Sequence, residues 1–132
     1  MYVAQVFTSG KAQMLGGISV NLSVLTNKSP KIEIWYTSGG RPVGLLETLP
    51  VPDGDLSLSD VLWLSSPIRM DKGTRVAVVV RFDARVGTAL GRWAGDTGNP
   101  YPGGTVYQSL YGLGQWDEVK GLALQFRAFS VE

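Results

Sequence analysis

The chain has 132 residues, 44% hydrophobic and 17% charged, with a formal net charge of +1 and neither cysteine nor histidine. The length suits one domain, residues 1–132, with enough chain to bury a core without staples. The missing cysteine and histidine exclude disulfides, zinc–thiolate sites, thiol nucleophiles and any Ser-His-Asp site within the chain, and the scattered Lys and Arg give no basic face for nucleic acid.

Residues 2–7 read as an opening strand. No charged region and apolar run precede it, so no signal peptide is expected. No apolar run approaches the ~20 residues of a membrane helix, so no membrane partner is expected either. After Leu15-Gly16-Gly17 comes a clean alternation: Ile18, Val20, Leu22 and Val24 on one face, Ser19, Asn21 and Ser23 on the other. A period of two is a half-buried strand. Residues 31–36 repeat it, with Ile32, Ile34 and Tyr36 inward and Lys31, Glu33 and Trp35 outward. Ser38-Gly39-Gly40-Arg41-Pro42 breaks the chain, and residues 43–49 form a further short strand.

Ser57 and Ser59 suit the caps of one helical turn over 56–60. Residues 61–64 read as a strand closed by Ser65-Ser66-Pro67. Asp71-Lys72-Gly73-Thr74 is a tight turn. The most apolar strand follows, with Val76, Val78, Val80 and Phe82 on one face and Ala77 and Val79 on the other, which places it centrally in a sheet. Residues 90–94 lead into a shaped loop over 96–107, where Gly98, Pro100, Pro102 and Gly103 rule out a helix or a continuous strand. Residues 105–110 and 122–131 are the last strands, the second with Leu122, Leu124 and Phe126 inward. Eight or nine short strands spaced by turns, with no amphipathic helix, predict an all-β antiparallel sandwich or barrel with little helix.

Trp35, Trp93, Tyr101, Tyr107, Tyr111 and Trp116 gather around the long loop. Two readings stay open. In one, Trp93, Tyr101, Tyr107 and Trp116 form a platform on which sugar rings stack, with Asp96 and Asn99 binding hydroxyls. In the other, the rings plug the end of the sandwich and hold the loop. Asp53, Asp55, Asp60 and Asp96 raise the idea of calcium, but Asp53-Gly54-Asp55 lacks the further spaced oxygens of a strong motif, and turn carboxylates are the plainer reading. No carboxylate pair is marked for glycoside hydrolysis, so no enzyme, metal or cofactor is expected. Arg69, Arg75, Arg81, Arg85, Arg92 and Arg127 suit either a solvated face or an interface. Val79 and Leu25, read as outward-facing, would favour subunit contacts if exposed.

Several pieces together resemble jelly-roll β-sandwich modules of bacterial surface and secreted proteins and of phage virion proteins, some of them carbohydrate-binding. They are Gln5-Val6-Phe7, residues 15–22, Ile32-Glu33-Ile34, Ser38-Gly39-Gly40-Arg41-Pro42, Ser66-Pro67-Ile68, Lys72-Gly73-Thr74, Asn99-Pro100-Tyr101-Pro102-Gly103-Gly104-Thr105 and Leu124-Gln125-Phe126-Arg127. The resemblance implies a jelly roll of eight or nine strands and a binding or assembly module without chemistry of its own. A strand-like run directly after Met1, with no leader, favours the virion branch: a capsid-decorating or tail component assembled in the host cytoplasm. Its expected partners are copies of itself, with a trimer favoured, and other virion proteins. The alternative is a glycan-binding or adhesion module at the cell surface, part of a larger protein.

Overall fold

The computed structural model describes residues 2–24, 30–51, 55–81, 91–93, 95–97, 104–109, 115–120 and 122–131. Among them are thirteen strand segments and no helix. In chain order these are β1 (Tyr2–Thr8), β2 (Gln13–Val20), β3 (Leu22–Val24), β4 (Lys31–Ser38), β5 (Arg41–Leu49), β6 (Leu62–Met70) and β7 (Arg75–Arg81). Then come β8 (Gly91–Trp93), β9 (Gly95–Thr97), β10 (Thr105–Ser109), β11 (Asp117–Val119), β12 (Leu122–Leu124) and β13 (Phe126–Val131).

One layer is a six-stranded antiparallel sheet in the order β11-β10-β1-β7-β4-β5. The facing layer is also antiparallel, and its spine is β13-β2-β6. Single residues separate β2 from β3 (Asn21), β8 from β9 (Ala94) and β12 from β13 (Gln125); counted across these breaks the described segments make ten strands, more than the eight or nine expected. Two of these breaks face each other. Asn21 donates its backbone N–H to the Gln125 carbonyl at 3.2 Å and its Nδ2 to Gln125 Oε1 at 2.8 Å. Beyond that pair the two strands take other partners, residues 91–93 and 95–97. The first of these pairs with β3 (Leu22↔Trp93) and the second with β12 (Leu124↔Gly95).

The core lies between the layers. Ile32, Ile34, Val76, Val78 and Val80 from the six-stranded sheet meet Ile18, Val20, Leu22 and Leu124 from the other, all nearly or fully buried. Phe126 packs at the margin, its ring centroid 5.0 Å from that of Phe7. Among the described residues, one fully buried side chain on the inner face of β1 is polar. Gln5 alternates with Val3 and Phe7 on the inner face of β1 and is fully buried. Its Oε1 accepts the Leu124 N–H across the sandwich at 2.8 Å, and its Nε2 donates to the Val6 carbonyl at 2.9 Å. An amide so placed satisfies a buried backbone donor that would otherwise carry a desolvation cost.

Several local expectations change. Residues 56–60 form no helical turn: Leu56 bridges Leu22, and the Asp60 N–H reaches the Ser57 carbonyl at 3.0 Å while its carboxylate accepts the Ser57 N–H. Strand β6 runs on through Ser65-Ser66-Pro67 instead of stopping there. It lies at a sheet edge, and its pairing with β2 is irregular between Leu15 and Gly17, so Pro67 forfeits no ladder bond. Tyr36 is half exposed although it stands opposite buried Val76, in unbroken register with β7 at the end of that pairing. Glu33 and Val79 face outward but are buried, for the reason given below. Leu25 and Phe82 lie outside the described residues. The expected break narrows to Gly39-Gly40, both with positive φ (61° and 79°), and proves to be a hairpin turn, because β5 already begins at Arg41 and pairs with β4.

Replacing Gln5 by Leu keeps the volume and removes the acceptor. Leu124 is then left with a buried unpaired N–H, and urea unfolding is expected to show a loss of about 1–3 kcal/mol.

Candidate functional site

The second face of the six-stranded sheet is the less ordinary one. Ala4, Val6, Ala77 and Val79 line its centre and are essentially inaccessible to solvent. They are short, which leaves room for large rings above them. Tyr2, Trp35 and Trp116 fill that room, each pair meeting edge to face, with centroids 6.2 Å (Tyr2–Trp35), 6.2 Å (Tyr2–Trp116) and 5.7 Å (Trp35–Trp116) apart. Edge-to-face packing sets the positive rim of one ring against the negative face of the next. Tyr107 joins the cluster from β10.

Polar groups close its border. Trp35 Nε1 donates to Glu33 Oε1 at 3.0 Å, giving the buried carboxylate a partner. The Arg81 guanidinium carbon lies 5.2 Å from the Tyr2 ring centre, and that of Arg41 lies 5.7 Å from the Tyr107 ring. Arg41 Nη1 also donates to the Trp116 carbonyl at 3.1 Å. Arg41 opens β5, at the opposite end of the strand order from β11, so the β4–β5 hairpin reaches across the outer face, close to β1 and β7. Trp116 Nε1 is buried and has no hydrogen-bond partner among the described residues.

The residues expected to form a sugar platform are distributed as follows. Tyr107 (7% exposed) and Trp116 (3%) belong to the enclosed cluster and turn no open ring face to solvent. Trp93 and Asp96 occupy backbone positions on β8 and β9, so Asp96 stands on a strand and not in the loop; their side chains are not among the described ones. Asn99, Tyr101 and Tyr111 lie outside the described residues. Tyr2, Arg41 and Arg81 are members that sequence reasoning missed. The signal for Tyr2 was its place in step with Ala4 and Val6; nothing local flags the two arginines. Of the acidic residues weighed for calcium, Asp53 is outside the described set and Asp60 is bound into its turn. Among the described residues no three His, Cys, Asp or Glu are grouped to hold a metal ion, and no helix is long and apolar enough to cross a membrane.

A second surface lies at the free edge of the same sheet. Among the described residues β5 pairs only with β4. Register shifts leave Leu46 and Val43 without opposite residues. Val43, Leu45, Leu46 and neighbouring Tyr36 are each close to half exposed. Pro42 lacks an N–H, and bulges distort an edge, so this strand resists backbone pairing with another chain. Its apolar side chains remain on show. Glu47 fixes the strand to β6 of the other layer by accepting the Ser65 N–H (2.8 Å) and Oγ–H (2.7 Å).

Comparison with protein-family models, with curated proteins and with solved structures gives no match.

The enclosed cluster leads to a graded expectation. Trp116→Ala removes a ring from a packed site and is expected to cost about 3–5 kcal/mol in thermal or urea unfolding. Trp116→Phe keeps a ring and deletes the orphan donor, and its loss should be clearly smaller.

Proposed function

We propose that this chain is a non-catalytic structural protein of a phage virion, a jelly-roll building block in a capsid-decorating or tail position that assembles with copies of itself. The observation that carries the assembly role is the strip Tyr36, Val43, Leu45 and Leu46. Contiguous exposed aliphatics beside a strand edge suit contact with another folded surface. The blunted backbone edge favours side-chain packing over open-ended strand addition, which fits a closed assembly. A trimer is the favoured form. The virion setting rests on the jelly-roll-like pieces of sequence, from Gln5-Val6-Phe7 to Leu124-Gln125-Phe126-Arg127. The glycan reading at residues 96–107 draws no support from Tyr107 and Trp116, whose rings are enclosed.

Light scattering coupled to size exclusion tests the assembly role, followed by imaging of the protein mixed with candidate particles. The wild type is expected to elute as a closed oligomer. The double variant Leu45→Lys, Leu46→Glu should elute as a monomer with a near wild-type melting temperature, since both side chains are solvent-facing. A wild type that stays monomeric at high concentration and decorates no particle would sink the proposal.

A further inference from the structure

We propose that the free edge of β13 is a contact for a second copy of this chain, the two β13 strands pairing antiparallel about Ala128. This contact is separate from the β5 strip and goes beyond it. Among the described residues four strands edge the six-stranded sheet and the β13-β2-β6 sheet: β5, β11, β6 and β13. A bare edge invites a further strand, and three of these four are blunted. β5 carries Pro42 and bulges. β6 carries Pro67 and an irregular register. β11 has three residues, two of them carboxylates. β13 has six residues, no proline and no carboxylate. Its pairing with β2 shifts once, and the extra residue there, Gly16, belongs to β2, so β13 itself stays regular.

The backbone geometry selects the partner. Where β2 and β13 meet their breaks, the Asn21 N–H donates to the Gln125 carbonyl. Opposed residues of an antiparallel pair alternate between bonded and unbonded, so Arg127 and Phe129 turn their backbone groups to β2. Ala128 and Ser130 turn theirs to the open edge. Both are exposed, although they follow Phe126 on the side of the sheet that faces the core. Pairing about Ala128 lets the two Ala128 residues exchange both backbone bonds. It also sets Arg127 opposite Phe129 of the second copy, and the reverse, in unbonded pairs, where side chains come closest. Arg127 is exposed and has no partner among the described residues. Phe129 lies on the same side of the sheet, held against Trp63 across Gly17 with centroids 6.3 Å apart. The pairing therefore sets a guanidinium against an aromatic ring twice. An unrelated strand would satisfy the same backbone groups; this self-complementary register is what favours a second copy. Six residues a side make a small interface, so the pair forms at high protein concentration and not at the dilution of size exclusion.

The test uses the Leu45→Lys, Leu46→Glu protein, so that the β5 strip takes no part and the two contacts stand or fall separately. The backbone N–H signals of Ala128 and Ser130 are followed by NMR from dilute to near-millimolar protein. Both are expected to shift saturably with concentration and to gain protection from exchange. Mixing labelled with unlabelled protein should show Arg127 of one copy against the Phe129 ring of the other. Ala128→Pro removes a donor that β2 does not use, so the chain should fold and stay monomeric. Arg127→Gln should weaken the pairing about fivefold or more, since two ring contacts are lost per pair. Ala128 and Ser130 signals that ignore concentration, or undiminished association of folded Ala128→Pro, overturn the proposal. Equal association of Arg127→Gln overturns the register about Ala128. A concentration-dependent shift confined to Trp63 overturns strand pairing and gives the contact to the outer face.

Discussion

The second layer of this sandwich has a seam, and the fold depends on how the backbone there is satisfied. Strands β2 and β13 run side by side until Asn21 meets Gln125; beyond that pair β3 and β12 take β8 and β9 as partners. Leu124 sits just past that point, deep inside the molecule. Its N–H is taken by Gln5 from the opposite layer. A buried amide proton without an acceptor is costly, and an apolar side chain at position 5 supplies none. The Gln5 amide thus sets the spacing between layers at the point where the second layer changes partners.

The six-stranded sheet carries weight on both faces. Its inner face forms the main core with Val76, Val78 and Val80. Its outer face carries alanines and valines at the centre and aromatic rings drawn in from β1, β4 and the segment before β11. The chain therefore builds a smaller second core outside the sandwich. Charges that reading by alternation would send to solvent, such as Glu33, are enclosed by it and need partners, here the Trp35 indole N–H. Among the described residues the large exposed apolar side chains lie elsewhere: Tyr36, Val43, Leu45 and Leu46 at the β4–β5 edge, and Trp63 on β6.

Much of the fold was legible because alternation reports burial directly. Ile18, Val20, Leu22, Ile32, Ile34, Val76, Val78, Val80 and Leu124 all enter the core as their period of two requires. The near-apolar second face of β7 correctly pointed to a central strand between β1 and β4. Alternation cannot say whether an outward face is covered, so Val79 and Glu33 were misread. Nor does it register bulges: Leu45-Leu46 breaks the period, and with Val43 that break marks the bent edge. The aromatic gathering was visible as composition. That Trp116 packs with Tyr2, far away in sequence, follows from β1 and β10 being neighbours, which no local pattern reveals.

Amide hydrogen exchange at Leu124 examines the seam most directly. If Gln5 closes it, the Leu124 N–H should exchange only through global unfolding, with the same free energy as core amides such as that of Val78. Exchange of Leu124 at nearly the rate of an unstructured peptide, while Val78 stays protected, would contradict the account and leave the two layers held by apolar packing alone.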